Sequence, residues 1–206
     1  ILYNIIGGVK FYDRKEVKDL LAYMRILVNP NDKISFERII NFPIRGIGKT
    51  TVDTILANLK DNNIITSLEA LDSTIIRKKQ LEGIKSFTQI INKFAKRINT
   101  DLPSELIQEL LLEIKLKDYY LNNSTQESID RWNNIEELIS GIVDYEKSTE
   151  KPTLSGYLEE VSLFTDIDNW NETDDKITMM TIHSSKGLEC DYVYITGLED
   201  GLFPIV

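Results

Sequence analysis

A mainly α-helical fold, carried on a partial α/β sheet to which both chain ends contribute, is predicted by two observations. Apolar residues recur at helical spacing from residue 13 to 164, and after residue 176 the period becomes strand-like. Asp13 and Glu16 have the form of a capping box ahead of Val17, Leu20, Leu21, Met24, Leu27 and Val28, one stripe of an amphipathic helix that Pro30 ends. The same spacing recurs at Ile84, Phe87, Ile91, Phe94 and Ile98; at Ile107, Leu110, Leu111 and Ile114; at Ile135, Leu138, Ile139 and Ile142; and at Leu154, Tyr157, Leu158 and Val161. Each stripe needs a partner for burial, so a helical domain follows, to which the shorter segments 33–42 and 49–60 add.

The chain ends read differently. Leu2 to Ile6 is a short strand closed by Gly7-Gly8, Ile177 to Ile182 a buried strand, and Tyr192 to Thr196 another. Between the helices and the last strands lies 166–176, with five acids and no base before Lys176, a composition shift that marks a domain boundary. The expected organisation is a sheet domain at 1–8 and 174–206 and a helical insertion at 9–173. The chain opens without methionine and stops just after a strand and turn, so it is expected to be a piece of a longer protein.

With 206 residues, 42% of them hydrophobic and 28% charged, the composition is that of an ordinary globular chain. No run approaches the roughly 18 apolar residues of a membrane span, so no membrane partner is expected and the cytoplasm is the expected location. Cys190 is the only cysteine and His183 the only histidine, so neither an internal disulfide nor a Cys/His metal centre is expected. A net charge of −9 excludes a surface that grips nucleic acid all over. Local contact is still open: 38–52 holds no acid, while Arg38, Arg45 and Lys49 supply positive charge.

Within that stretch Gly46-Ile47-Gly48-Lys49-Thr50-Thr51 invites comparison with a P-loop, because Gly-Lys-Thr ends one. A P-loop also needs a glycine five positions before the Gly-Lys pair, and position 43 is proline, which has no N–H to offer a phosphate. The residues instead read as a helix, a tight Gly-Ile-Gly turn, and a helix beginning near Lys49. Glycines let such a turn approach a phosphate closely, and N–H groups at the next helix start can receive its charge. A plain helix–helix turn with solvated charges accounts for the spacing equally well.

Residues 181 to 191, Thr-Ile-His-Ser-Ser-Lys-Gly-Leu-Glu-Cys-Asp, place polar side chains and a glycine between two apolar runs, as in the strand-end loops where α/β sheets bind ligands. This run resembles motif V of the UvrD/Rep family of superfamily 1 DNA helicases, T-x-H-x-x-K-G-L-E, with Thr181, His183, Lys186, Gly187, Leu188 and Glu189 matching and Gly201-Leu202-Phe203-Pro204 matching further on. Gly7 to Asp19 is similar to the family block G-G-x-x-F-x-x-R-x-E-[IV]-K-D, and Arg131-Trp132-Asn133-Asn134-Ile135-Glu136-Glu137-Leu138 to another. Cys190 stands where family members usually carry an aromatic residue.

The resemblance implies a helical 2B subdomain inserted in part of a RecA-like 2A subdomain. It implies a parent enzyme that couples ATP hydrolysis, with Mg²⁺, to 3′-to-5′ translocation on DNA, and partners in the 1A, 1B and remaining 2A parts of that chain. The Gly46-Ile47-Gly48 turn is similar to helix-hairpin-helix elements, so Arg45, Gly46, Ile47, Gly48, Lys49 and Thr50 are expected to contact duplex phosphates. Two to three such contacts would give a slope of log K against log salt of roughly −2 to −3. Thr181 and His183 are expected to touch single-stranded DNA and Glu189 the ATP ribose, with Lys186 and Gly187 shaping the loop between them. The chain alone, lacking a P-loop and an acidic Mg²⁺ motif, is expected to be inactive and to bind no cofactor. Two rivals stay open: a helical protein-interaction module with no DNA role, and a self-contained nucleotide-binding enzyme.

Overall fold

The computed structural model describes residues 3–6, 11–59, 64–71, 74, 76–122, 125–168, 177–180, 189, 191–196 and 198. The chain divides into two compact units, one formed by Ile1–Val9 with Glu172–Val206 and one by Lys10–Asn171.

In the first unit, β1 (Tyr3–Ile6) pairs in parallel with β2 (Ile177–Met180), Tyr3 opposite Ile177 and Ile6 opposite Met180. Parallel neighbours need a long crossover, and here the whole helical unit supplies it. Two expectations are corrected. Ile177 and Met179 are 56% and 44% exposed rather than buried. Tyr192 to Thr196 forms no strand, and Tyr192, Val193, Tyr194 and Ile195 are all exposed. β-branched and aromatic composition favours a pleated, half-buried surface but cannot make a strand without a neighbour to take its N–H and C=O groups.

The second unit runs through α1 (Lys15–Val28), α2 (Lys33–Ile39), α3 (Lys49–Ala57), α4 (Ile64–Glu69), α5 (Lys78–Ala95), α6 (Pro103–Glu113), α7 (Leu116–Leu121), α8 (Gln126–Ser148) and α9 (Leu154–Asp168). Each long stripe read from the sequence falls on one of these helices, except that Ile98 lies past the end of α5 and Ile114 is the C-cap of α6. The short α4 and α7 carry too few apolar residues to show a period. α1 packs against α2, α5, α8 and α9. Burial therefore extends beyond its predicted stripe to Ala22, Tyr23, Ile26 and even Glu16 and Asp19.

Those polar groups reach outward to three different places. Asn134 of α8 donates to Glu16, Arg38 of α2 donates from Nε to Asp19 at 2.7 Å, and Tyr23 donates to the carbonyl of Phe42. Arg14 also donates to Asn134, so the blocks around residues 14–16 and 131–138 meet directly. The predicted capping box does not form. A 3₁₀ turn at Phe11–Asp13 moves the helix start to Arg14, Asp13 pairs with Lys18, and Glu16 is taken by Asn134.

Candidate nucleic-acid interface

The Gly-Ile-Gly turn joins α2 to α3, a helix-to-helix connection. Gly46 has φ +74°, the left-handed region where a side chain is strained, so this position needs glycine. Gly48 is the N-cap of α3 and brings no side-chain oxygen to it. Its carbonyl accepts from the N–H groups of Thr51 and Val52 at 3.0 and 3.1 Å. That leaves the N–H groups of Gly48, Lys49 and Thr50 without a partner among the described residues. Lys49 and Thr50 are exposed, and the first turn of α3 holds no acid. Aligned free amides with the positive end of a helix behind them and a lysine beside them can receive an anion.

The other residues of the block take different places from those expected. Ile47 is 1% exposed, its side chain in the core and its N–H donated to Asn41 Oδ1 at 3.0 Å. It plugs the turn onto the core and offers nothing to a ligand, because a large aliphatic group gains more from burial than its one N–H gains from exposure. The Arg45 side chain is engaged within the fold. Its Nη1 lies 2.9–3.3 Å from the carbonyl oxygens of Ile39, Ile40, Phe42 and Pro43, and its Nη2 donates to Tyr23 Oη at 2.6 Å. The guanidinium faces the rings of Phe87 and Tyr23 at 5.4 and 6.0 Å. Carbonyls at the end of α2 have no intrahelical donors, so they draw the guanidinium inward. Arg38 is likewise engaged, with Asp19 and with the carbonyl of Lys15.

Four residues that shape the turn were not picked out from the sequence. Asn41 accepts both the Arg45 and Ile47 N–H groups through Oδ1, and an asparagine just ahead of a glycine turn is the signal for it. Phe87 carried only a core signal, and Tyr23 lies outside the stripe read for its helix. Gly83, on α5, is an isolated glycine in a helical pattern, which points to close backbone approach. A Cβ there would lie 2.5 Å from the Arg45 carbonyl oxygen. Lys79 lies four residues before Gly83, on the same helix face and one turn nearer the helix start. Arg77, Lys78 and Lys79 are all exposed.

In the other unit Glu189 is exposed, whereas Thr181, His183, Lys186 and Gly187 lie outside the described residues. Among the described residues no three His, Cys, Asp or Glu side chains are grouped to hold a metal ion, and no helix is long and apolar enough to cross a membrane.

Fold and turn together define a helical module that presents an acid-free amide-lined turn, joined to a segment of parallel sheet. The model of the UvrD-like helicase C-terminal domain matches residues 1–206, and the chain belongs to that family. It is 36% identical over 210 residues to the ATP-dependent DNA helicase PcrA of Bacillus subtilis, a match covering 98% of this chain. It is 40% identical over 208 residues to PcrA of Staphylococcus epidermidis (99% of this chain) and 39% identical over 206 residues to PcrA of Staphylococcus aureus (98% of this chain). In each case the chain spans 28% of the relative's length.

Proposed function

We propose that this chain is the duplex-contacting 2B portion, with adjoining 2A sequence, of an ATP-dependent 3′-to-5′ DNA helicase. The observation that carries the reading is the row of amides at Gly48, Lys49 and Thr50 that have no partner among the described residues, beside the exposed Lys49. Such a site takes a phosphate without reading base sequence. In this reading 2B regulates unwinding by holding the duplex. The loop with Thr181 and His183 touches single-stranded DNA, and Glu189, with Lys186 and Gly187, faces ATP, so one loop couples nucleotide state to DNA grip. ATP and Mg²⁺ belong to the parent enzyme, whose 1A, 1B and remaining 2A parts are this segment's partners in the cytoplasm. The isolated chain hydrolyses no ATP, and turnover that Lys49→Ala abolished would overturn that statement.

Arg38 and Arg45 are engaged internally, so the side-chain charge facing a phosphate reduces to Lys49, with Lys79 on the same side of α5. Duplex binding measured across a salt series tests the reading. Lys49→Ala is expected to weaken binding for every sequence alike and to flatten the slope of log K against log salt by about 1. Unchanged affinity and slope would place the DNA contact elsewhere. A second reading, a protein-docking module, draws on the exposed Leu112 beside half-buried Trp132 and Ile139 in a cleft between α6, α7 and α8. Partner capture that survives high salt and is lost in Leu112→Asp would favour it.

A further inference from the structure

The geometry points to Tyr23, Arg45 and Gly83 as positioning residues that hold the amide-lined turn in shape for a phosphate without touching it. This rests on the phosphate-contact reading above and adds what makes that turn a preformed site.

Arg45 is held at both its side chain and its main chain. The single nitrogen Nη1 gathers four carbonyl oxygens, two from the last turn of α2 and its cap and two from the chain leading into the turn. The guanidinium thus ties the exit of α2 to the entry of the Gly-Ile-Gly segment. Tyr23 closes the arrangement: its oxygen accepts from Arg45 Nη2 and its hydroxyl donates to Phe42, whose carbonyl also receives Arg45 Nη1 at 2.9 Å. Burial raises the phenol above the ordinary tyrosine range, against the pull of Arg45, so it keeps the proton this bond needs. Tyr23 is 0% exposed on the central helix α1, so the turn is referenced to the most buried element of the unit.

The main chain is fixed by α5. Gly83 lets the helix approach until a Cβ would lie 2.5 Å from the Arg45 carbonyl oxygen and 3.3 Å from its Cβ. Phe87, one turn on and on the same face, sits under the guanidinium. Two α5 residues at helical spacing therefore receive one arginine, backbone against Gly83 and side chain against Phe87.

If the Arg45 guanidinium turned outward to a phosphate, the carbonyls of Ile40 and Pro43 would lose their donor among the described residues, whereas Ile39 keeps the Phe42 N–H and Phe42 keeps the Tyr23 hydroxyl. The value of the guanidinium lies in geometry. The amides of Gly48, Lys49 and Thr50 start only three residues later, and a preformed row of donors binds more tightly than one that must be ordered on contact.

The test uses the 206-residue chain and a fluorescein-labelled duplex of arbitrary sequence, with affinity measured across a salt series and amide resonances of Gly48, Lys49 and Thr50 followed by NMR. Tyr23→Phe removes one hydroxyl and no charge, and is expected to weaken binding about fivefold. Arg45→Lys keeps the charge but cannot bridge the acceptors, and is expected to cost roughly tenfold or more. In both, the salt slope stays at the wild-type value and the three amides shift while the circular dichroism spectrum does not. Arg45→Lys binding as tightly as wild type would overturn the inference, since charge alone would then suffice. Weaker binding with the three amides unmoved would also overturn it, as the loss would arise elsewhere. Lys49→Ala in parallel separates the two layers: unchanged affinity and slope there would remove the phosphate site itself, and the inference with it.

Discussion

Phe87 and Tyr194 are both large aromatics in strongly patterned stretches, yet Phe87 is 0% exposed and Tyr194 is 90% exposed. Phe87 stands on a helix, which satisfies its backbone within itself and needs only a neighbour for its side chain. Phe36 meets it edge-on at 6.1 Å, and Ile84 and Ile91 flank it in the same core. Tyr194 stands in a stretch of strand-forming composition, where the backbone needs a partner before side chains can be buried at all. The described residues of the sheet unit offer β1 to β2 and nothing to 192–196. A helical insertion can therefore complete its own core, whereas a sheet segment depends on how many strands lie beside it.

The sharpest way to break that contrast is to empty the helical core. Phe36→Ala is expected to cost about 3–5 kcal/mol, read as a large drop in the thermal or denaturant midpoint of the helical transition. A loss under 1 kcal/mol would mean that this core is looser than its burial states. Gly83→Ala comes next: the added methyl meets the Arg45 carbonyl, so about 1–3 kcal/mol of overpacking is expected, together with weaker duplex binding. Tighter binding in that variant would show that the turn prefers another shape.

A smaller effect concerns the link between α5 and α6. Arg97 pairs with Asp101 at 2.5 Å and with Glu109 at 2.6 Å. Asp101 is held below the ordinary carboxylate range by the Thr100 hydroxyl and by Arg97, and Glu109 by Arg97. Groups lowered in the folded state stabilise it above the unfolded carboxylate range, near pH 4, and lose that contribution as pH falls through their depressed values. Asp101→Asn with Glu109→Gln should flatten this acid limb, and high salt should mimic the change. An acid limb identical to wild type would show that the pairs carry no pH dependence. The smallest effect is expected on the other side of the comparison: Tyr194→Ser should shift stability by no more than about 0.5 kcal/mol. A larger loss would mean that Tyr194 is covered in solution.

The helical part of the fold was legible because a stripe such as Ile135, Leu138, Ile139 and Ile142 states its own period. The capping box at Asp13 was misread because a short turn at Phe11–Asp13 shifts the helix start by one residue, and only packing decides which of two adjacent starts is used. The turn itself was read correctly as helix, glycine turn, helix, and Lys49 and Thr50 are exposed at its helix start. Arg45 and Ile47 were assigned outward because charge and position in the block were the only information available. Gly83 and Tyr23, far from the turn in sequence, had no local signal connecting them to it.

The order of residues alone determined the family, the helical unit and the place of the glycine turn, because each depends on local spacing and on motifs in a fixed sequence. Which cations face solvent, which amides stay unpartnered and which distant residues clamp the turn were decided only by the tertiary structure. Those outcomes depend on competition for buried hydrogen-bond partners, and the carbonyls at and after the end of α2 engage the Arg45 guanidinium.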